Sequence, residues 1–521
     1  MGDGYVDKNY YLIIIMSKLK ILLYLLYFVS TIAMVSVIIK GQWDGNLLFQ
    51  NLDSKLTSLG SPFESSGSTS RYILTEAIVE DNTFLLNEVR AKFAAPDVVK
   101  SSKGYISIFT PGASFIGVPF YRLGVIFGFP QIATYLSTAL FALANAFLII
   151  KISRKLGAGE LSSLISGLLY LFATNALPYL TTLTQHHAST FFILLGTVNA
   201  FGQRNLKNNI IFGIIYGSAL LMDIPNGIIM LPLVFYIAFK QIKIREIANK
   251  IKVYIKFNFL GILIGLLPLL GLFGFYNYQT TGSYTTLAQF IGRSDEFADN
   301  VSTEVKIPED RKSINIPFQT RNQLEGFYIF LISDQRSIFV YHPIILIGII
   351  GLVTLYKKRI IRGKTSLLLS LILMNFLIYT MFPDPTGSWA FGPRYLLPAT
   401  ALLMIGAGSA IDIYKKSRWF VILFFILTTY SVSINTLGAT TTTQVPPKVE
   451  AVNLPNPIPY TYEYNWQLMT EKGLNSSLFY NLYANKYVSS LQYAALYAGA
   501  AILLISVICI AALFEKKKEE I

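Results

Sequence analysis

Phe257-Asn-Phe-Leu-Gly-Ile-Leu-Ile-Gly-Leu-Leu-Pro-Leu-Leu-Gly-Leu-Phe-Gly-Phe-Tyr276 carries no charged side chain. A helix of that length covers the hydrocarbon core of a bilayer, about 30 Å at about 1.5 Å per residue. Directly before it, residues 240–256 hold six Lys and Arg. An apolar run entered from a basic loop reads as a transmembrane helix with that loop in the cytoplasm.

The same pattern recurs along the chain. Spans are predicted at 21–39, 131–150, 161–180, 188–202, 209–222, 225–239, 257–276, 337–356, 366–382, 395–414, 419–437 and 491–514. Composition agrees: of 521 residues, 53% are hydrophobic and 14% charged, against about 25% charged in soluble chains. So few charges cannot cover the surface of a soluble protein this long. The expected fold is a single all-α polytopic membrane domain, 1–521, with about twelve transmembrane helices. Met16-Ser-Lys-Leu-Lys reads as a more natural start than Met1, and the first span as a retained anchor.

Lys and Arg sort by side. Segments 1–20, 151–160, 203–208, 240–256, 357–365, 415–418 and 515–521 together hold 25 of the 43, leaving 18 for the longer loops. The net charge of +14 therefore reads as positive-inside loops and not as a nucleic-acid surface. Both termini are expected in the cytoplasm of a cell-membrane protein. The long loops 40–130, 277–336 and 438–490 are expected outside, with 112–129 as a helix lying in the outer interface. Cys509 is the single cysteine, so no intramolecular disulfide forms. No Walker A motif or GxGxxG-opened βαβ unit appears. Chemistry is expected on the outer face, with an energy-rich reactant arriving through the lipid.

The first outer loop, 40–130, is the candidate catalytic loop. It carries Asp44, Asp53, Glu64, Glu76, Glu80, Asp81, Glu88 and Asp97. Ser70-Arg-Tyr-Ile-Leu-Thr-Glu-Ala-Ile-Val-Glu-Asp81 predicts an amphipathic helix capped at Ser68, Thr69 or Ser70. Glu76 and Glu80, four apart, share a face and suit general-base work. In Thr184-Gln-His-His-Ala, His186 and His187 point about 100° apart, which favours hydrogen bonding to a phosphate over a shared metal. Asp223, in Met222-Asp-Ile-Pro-Asn, is an acid near membrane depth. Arg336 stands at the mouth of the eighth span. Asp384-Pro-Thr-Gly-Ser-Trp-Ala-Phe-Gly-Pro-Arg-Tyr395 makes a stiff turn with Trp389 as an interfacial aromatic, and Arg394 suits a phosphate. The sequons at Asn300 and Asn475 fall in outer loops.

Four strings in order, Ser70-Arg-Tyr…Thr75-Glu-Ala-Ile-Val-Glu80, Thr110-Pro-Gly…Val118-Pro-Phe-Tyr121, Arg336-Ser-Ile-Phe-Val-Tyr-His-Pro343 and Gly387-Ser-Trp-Ala-Phe-Gly-Pro-Arg-Tyr-Leu-Leu-Pro398, resemble the GT-C class of polytopic glycosyltransferases. The branch is the prokaryotic one related to protein mannosyltransferases and aminoarabinose transferases. The resemblance implies an inverting transfer from a polyprenyl-phosphate-linked sugar on the outer face. A first-loop carboxylate would be the base, with Arg394, Arg71 or Arg336 on the phosphate. Many members carry an Asp-Glu pair before the first loop helix; this chain reads Gly67-Ser68-Thr69, leaving Glu64, Asp53 or Glu76 to substitute. A divalent metal is compatible with the chemistry and nothing demands it. A transporter or flippase of lipid-linked substrate, and a non-catalytic lipid-sugar binder, remain as alternatives.

Overall fold

The computed structural model describes residues 8–42, 45–247, 250–255, 257–294, 296–297 and 318–515. Asp44 and the Asn300 sequon lie outside them. The chain opens with α1 (Lys8–Val37). The first loop contains α2 (Ser66–Glu80), the hairpin β1 (Val98–Ser101) and β2 (Gly104–Ser107), and α3 (Gly112–Phe127). There follow α4 (Pro130–Lys155), α5 (Glu160–Phe172), α6 (His186–Ala200), α7 (Leu206–Met222) and α8 (Leu231–Phe239). A second hairpin, β3 (Ile242–Ile247) and β4 (Lys250–Ile255), leads to α9 (Gly261–Thr281). The remainder is α10 (Ile345–Lys357), α11 (Arg362–Thr380), α12 (Leu397–Tyr414), α13 (Arg418–Thr440), α14 (Tyr462–Glu471) and α15 (Ser490–Leu513). The two antiparallel hairpins, Val98↔Ser107 and Ile242↔Ile255 at their open ends, qualify the all-α expectation.

The chain is a multi-pass membrane protein. Among the described residues six helices are long and apolar enough to cross a bilayer: Pro130–Lys155, Phe257–Thr281, Arg362–Thr380, Arg394–Tyr414, Arg418–Thr440 and Ser490–Leu513. The first predicted span is the Ile21–Val37 part of α1, and the remaining ones are helical but shorter or interrupted. The segment 161–180 stops at Phe172 and resumes as a single turn at Ala176–Tyr179. The segment 225–239 divides at Met230, two residues before Pro232, which has no N–H to continue the helix and sits in the first turn of the next one. The segment 337–356 divides at His342-Pro343 for the same reason.

Glycines set two helix crossings. A Cβ on Gly351 would stand 1.8 Å from the Gly406 carbonyl oxygen, and one on Gly406 2.3 Å from that of Gly348, so α10 and α12 touch backbone to backbone. Gly213 and Gly265 do the same for α7 and α9, with clearances of 2.1 and 2.0 Å to carbonyl oxygens. Small residues let helices approach closely where the solvent gives no hydrophobic drive. α5 and α12 form the centre of the bundle, buried along nearly their whole length.

The three long loops join at one end of the helices. Leu478 N–H donates to Ile39 at 2.8 Å, Ser294 N–H to Val98 at 2.9 Å, and the Ser101 hydroxyl to Thr280 at 2.6 Å. α2 starts at Ser66, earlier than predicted, and Ser68, Thr69 and Ser70 lie inside it. Their side chains serve the interior: Thr69 donates to Ser65 and Phe63 carbonyls, Ser70 to Asp97. Every residue from Ser68 to Ala77 is buried, so α2 is an internal helix and not an amphipathic surface one.

Candidate functional site

α2 aims Arg71 (4% exposed) across the loop-side ends of the helices. Its Nη1 donates to Gly67 at 2.6 Å, its Nη2 to Gln185 Oε1 at 2.6 Å, and its plane lies 3.7 Å over the Phe109 ring. Gln185 precedes α6, and its Nε2 donates to Asp223 Oδ2 at 3.5 Å. Asp223 caps the end of α7 in extended backbone, which turns its carboxylate back over the helix ends. The Tyr379 hydroxyl of α11 donates to the same oxygen at 3.0 Å. Tyr379 stacks flat on Tyr395, centroids 4.8 Å apart and 3° from parallel. Arg394, next to Tyr395, donates from Nη2 to Gly387 at 3.0 Å. His186 fits edge-on between Tyr179 and Tyr395.

Five separate stretches thus contribute one cluster: Arg71, Gln185 with His186, Asp223, Tyr379, and Arg394 with Tyr395. Burial raises the Asp223 carboxyl, with Tyr379, Arg71 and Gln185 pulling it partly back. Burial lowers Arg71 to about 10, with Asp223 and Asp97 opposing, and it stays protonated at neutral pH. Two buried guanidinium nitrogens of the cluster, Nε of Arg71 and Nε of Arg394, have no hydrogen-bond partner among the described residues. An unpaired buried donor costs about 1–3 kcal/mol, so both arginines have a donor in reserve for an anion.

The other sequence-predicted residues are engaged elsewhere. Glu64 is fully enclosed: Oε1 accepts from Lys40 Nζ (2.5 Å) and from the Thr443 N–H and hydroxyl (both 3.0 Å), Oε2 from Gly60 N–H (2.7 Å) and the Thr442 hydroxyl (2.5 Å). Burial pushes its carboxyl up, but Lys40 and the hydrogen bonds outweigh that and hold it below the usual range. With every lone pair occupied, Glu64 ties the first loop to the loop after α13 and is not placed to take a proton.

Glu76 points at Arg90 (Nε 3.3 Å), which also pairs with Asp81 and lies over Phe49. Burial pushes Glu76 up to about 7. Glu80, one turn on, is exposed, so the shared-face pair spans two environments. Asp53 is an exposed cap accepting from Lys55 N–H at 3.1 Å. His187 Nδ1 meets Tyr170 and Nε2 the Ala176 carbonyl, inside the bundle. Arg336 spends its donors on backbone carbonyls of Gln335, Thr386, Ser388, Val445, Pro446 and Tyr460. It is a staple, with none left for a lipid phosphate. Asp384 accepts from the N–H and hydroxyl of both Thr386 and Ser388, closing the turn where Gly387 and Ser388 have positive φ. Trp389 donates to Glu450 at 2.5 Å. Asn475 is buried and bonded to Ser477 N–H, so it is closed to glycosylation.

Among the described residues no three His, Cys, Asp or Glu converge on one point. Asp223, the acid of the cluster, is surrounded by Gln185, Tyr379 and Arg71, a set that suits an anion beside it better than a hard cation needing several oxygens. Sequence reasoning missed Gln185, Tyr379 and Tyr395. The adjacency of Gln185 to the histidine pair was the available signal.

No protein-family model matches the chain, and no curated protein sequence is a significant match. Among solved structures it is similar to ArnT from Cupriavidus metallidurans in the apo state, at 13% identity over 96% of this chain and 77% of that one, TM-score 0.43. The same protein bound to undecaprenyl phosphate gives 13% over 94% and 77%, TM-score 0.46. The Archaeoglobus fulgidus oligosaccharyltransferase, in complex with zinc and sulfate, gives 13% over 83% and 56%, TM-score 0.46. Both proteins are of the GT-C class that the sequence strings resemble. At these scores the likeness concerns the broad arrangement of helices alone.

Proposed function

We propose that this chain is an inverting glycosyltransferase that takes its sugar from a polyprenyl-phosphate donor at the end of the bundle bearing the long loops. The observation that carries the reading is one buried carboxylate, Asp223, joined through Gln185 to Arg71 and through Tyr379 to the Tyr395 ring beside Arg394, with both arginines keeping a buried Nε that has no partner among the described residues. The Lys and Arg asymmetry supports cytoplasmic termini and an extracytoplasmic site.

The base is assigned to Asp223 in place of a first-loop carboxylate. Glu64 has no free lone pair, and Glu76 pairs through Oε2 with Arg90, outside the cluster of Arg71, Asp223 and Arg394. Burial makes Asp223 a stronger base than a solvated carboxylate. The acceptor hydroxyl gives its proton to Asp223, and its oxygen attacks the anomeric carbon. The bond from that carbon to the phosphate oxygen breaks on the opposite face, and its electron pair leaves with the polyprenyl phosphate. Arg71 and Arg394 take up the added charge. The leaving group is already a good one, so positioning and charge stabilisation suffice.

The test uses the full chain in nanodiscs with a panel of polyprenyl-phosphate sugars and follows release of polyprenyl phosphate. Wild type releases it from at least one donor; Asp223→Asn and Arg394→Ala do not. Release that survives Asp223→Asn rejects the base assignment, and no release from any donor rejects the reading as a whole.

A further inference from the structure

We propose that the cleft lined by Asp334, Val340, Tyr460, Thr461, Tyr462 and Glu463 is a binding subsite for a neutral sugar ring of the acceptor. The word acceptor rests on the transferase reading above; the binding chemistry does not.

The cleft has a volume of about 170 Å³, below the roughly 300–1,000 Å³ of sites that enclose larger ligands. It takes one ring and not a lipid chain. Its walls carry two kinds of group. Tyr460 and Tyr462 supply aromatic surface. Tyr462 is fixed edge-on to Tyr341, centroids 6.1 Å apart, and its hydroxyl accepts from Tyr430 at 3.3 Å. Asp334 and Glu463 supply exposed carboxylates. Asp334 Oδ2 accepts from the Tyr460 hydroxyl at 2.8 Å, which joins the aromatic and acidic walls. Lys448 lies 5.0 Å from the Tyr460 ring centroid at the rim.

A pyranose presents an apolar C–H face and a rim of hydroxyl donors. Tyrosine rings cover the first, and ionised carboxylates accept from the second in strong charge-assisted bonds. The two carboxylates outnumber Lys448 at the rim and disfavour a phosphate or an acidic sugar, so the ring is neutral.

The cleft is coupled to the proposed active site through one turn. Arg336, two residues after Asp334, donates to Tyr460 on one side and to Thr386 and Ser388 on the other. Between those two stands Gly387, whose carbonyl receives Arg394. A sugar held at Tyr460 and Tyr462 is therefore anchored to the same rigid turn as the phosphate-binding guanidinium.

Saturation-transfer NMR on the full chain in nanodiscs tests this, with methyl glucopyranoside, methyl mannopyranoside and methyl galactopyranoside as probes. At least one receives saturation. Asp334→Asn and Glu463→Gln, both at exposed positions that leave the fold intact, each weaken it about tenfold, the loss expected for one hydrogen bond to a charged acceptor. No transfer to any pyranoside, transfer that persists in both cleft variants, or binding of trilysine in place of the sugars overturns the proposal. Pyranoside binding by a chain that releases no polyprenyl phosphate supports the subsite and rejects the transferase.

Discussion

Arg71 and Asp223 meet through Gln185, whose Oε1 accepts from the arginine at 2.6 Å while its Nε2 reaches the carboxylate at 3.5 Å. A primary amide can accept from a cation and donate to an anion at once. It keeps the two charges near each other without letting them close into a direct ion pair. A closed pair would turn Arg71 toward Asp223 and neutralise both charges, leaving the arginine a weaker partner for a phosphate and the carboxylate a weaker base.

Tyr379→Phe removes the hydroxyl that donates to Asp223. That bond lowers the carboxyl, so its loss raises it further. The acidic limb of the kcat/KM profile moves to higher pH, and the maximal rate falls about tenfold, the scale of one hydrogen bond to a charged group. A profile that does not move separates Asp223 from the base.

Glu64→Gln leaves Lys40 buried without its counter-charge. Breaking one partner out of a buried pair costs about 3–5 kcal/mol. Thermal unfolding in detergent shows a large drop in Tm, while release per folded molecule is kept. In wild type the folded Glu64 carboxyl lies below the ordinary range. Its stabilisation is present above about pH 4 and is lost as pH falls further.

Glu76 has the opposite sign. Its folded value is about 7 against about 4.3 in an unfolded chain. The stability it contributes is fully present below about pH 4 and lost as pH rises through about 7. Wild type therefore loses several degrees of Tm between about pH 5 and pH 8, and Glu76→Gln, neutral throughout, loses less. Parallel curves for the two proteins refute this.

Arg336 and Arg394 separate by lysine rescue. Arg336→Lys cannot serve carbonyls on several segments at once, so it lowers stability by about 2–4 kcal/mol. Arg394→Lys keeps a positive charge for phosphate and retains part of the release activity that Arg394→Ala loses. Equal rescue at both positions contradicts the staple role of Arg336.

The spans were legible because uncharged runs and basic loops are local signals. Helices occur at every predicted span, and two of the three interruptions follow from Pro232 and Pro343, which the run hides by being apolar throughout. Asp223 stood out since an acid near membrane depth demands a reason. Tyr379 and Tyr395 did not, because aromatics near span ends are ordinary. The choice among loop carboxylates was not legible. Glu64 is silenced by Thr442 and Thr443, some 378 residues away in sequence, and no local pattern reports a partner that distant. Glu76 and Glu80 had the right spacing for a pair, but Glu80 falls where α2 leaves the interior.

The knot around Glu64 also sets an order of events during synthesis. Lys40 and Glu64 are made early, whereas Thr442 and Thr443 follow after most of the bundle. At about 5–20 residues per second the interval is on the order of tens of seconds. Until then the Glu64 carboxylate has Lys40 and Gly60 but lacks the hydroxyl and N–H donors of the later loop. Arg394, about three quarters of the way along the chain, also arrives late, so a nascent chain halted before the last third would present no closed site and a first loop without its anchor to Thr442 and Thr443.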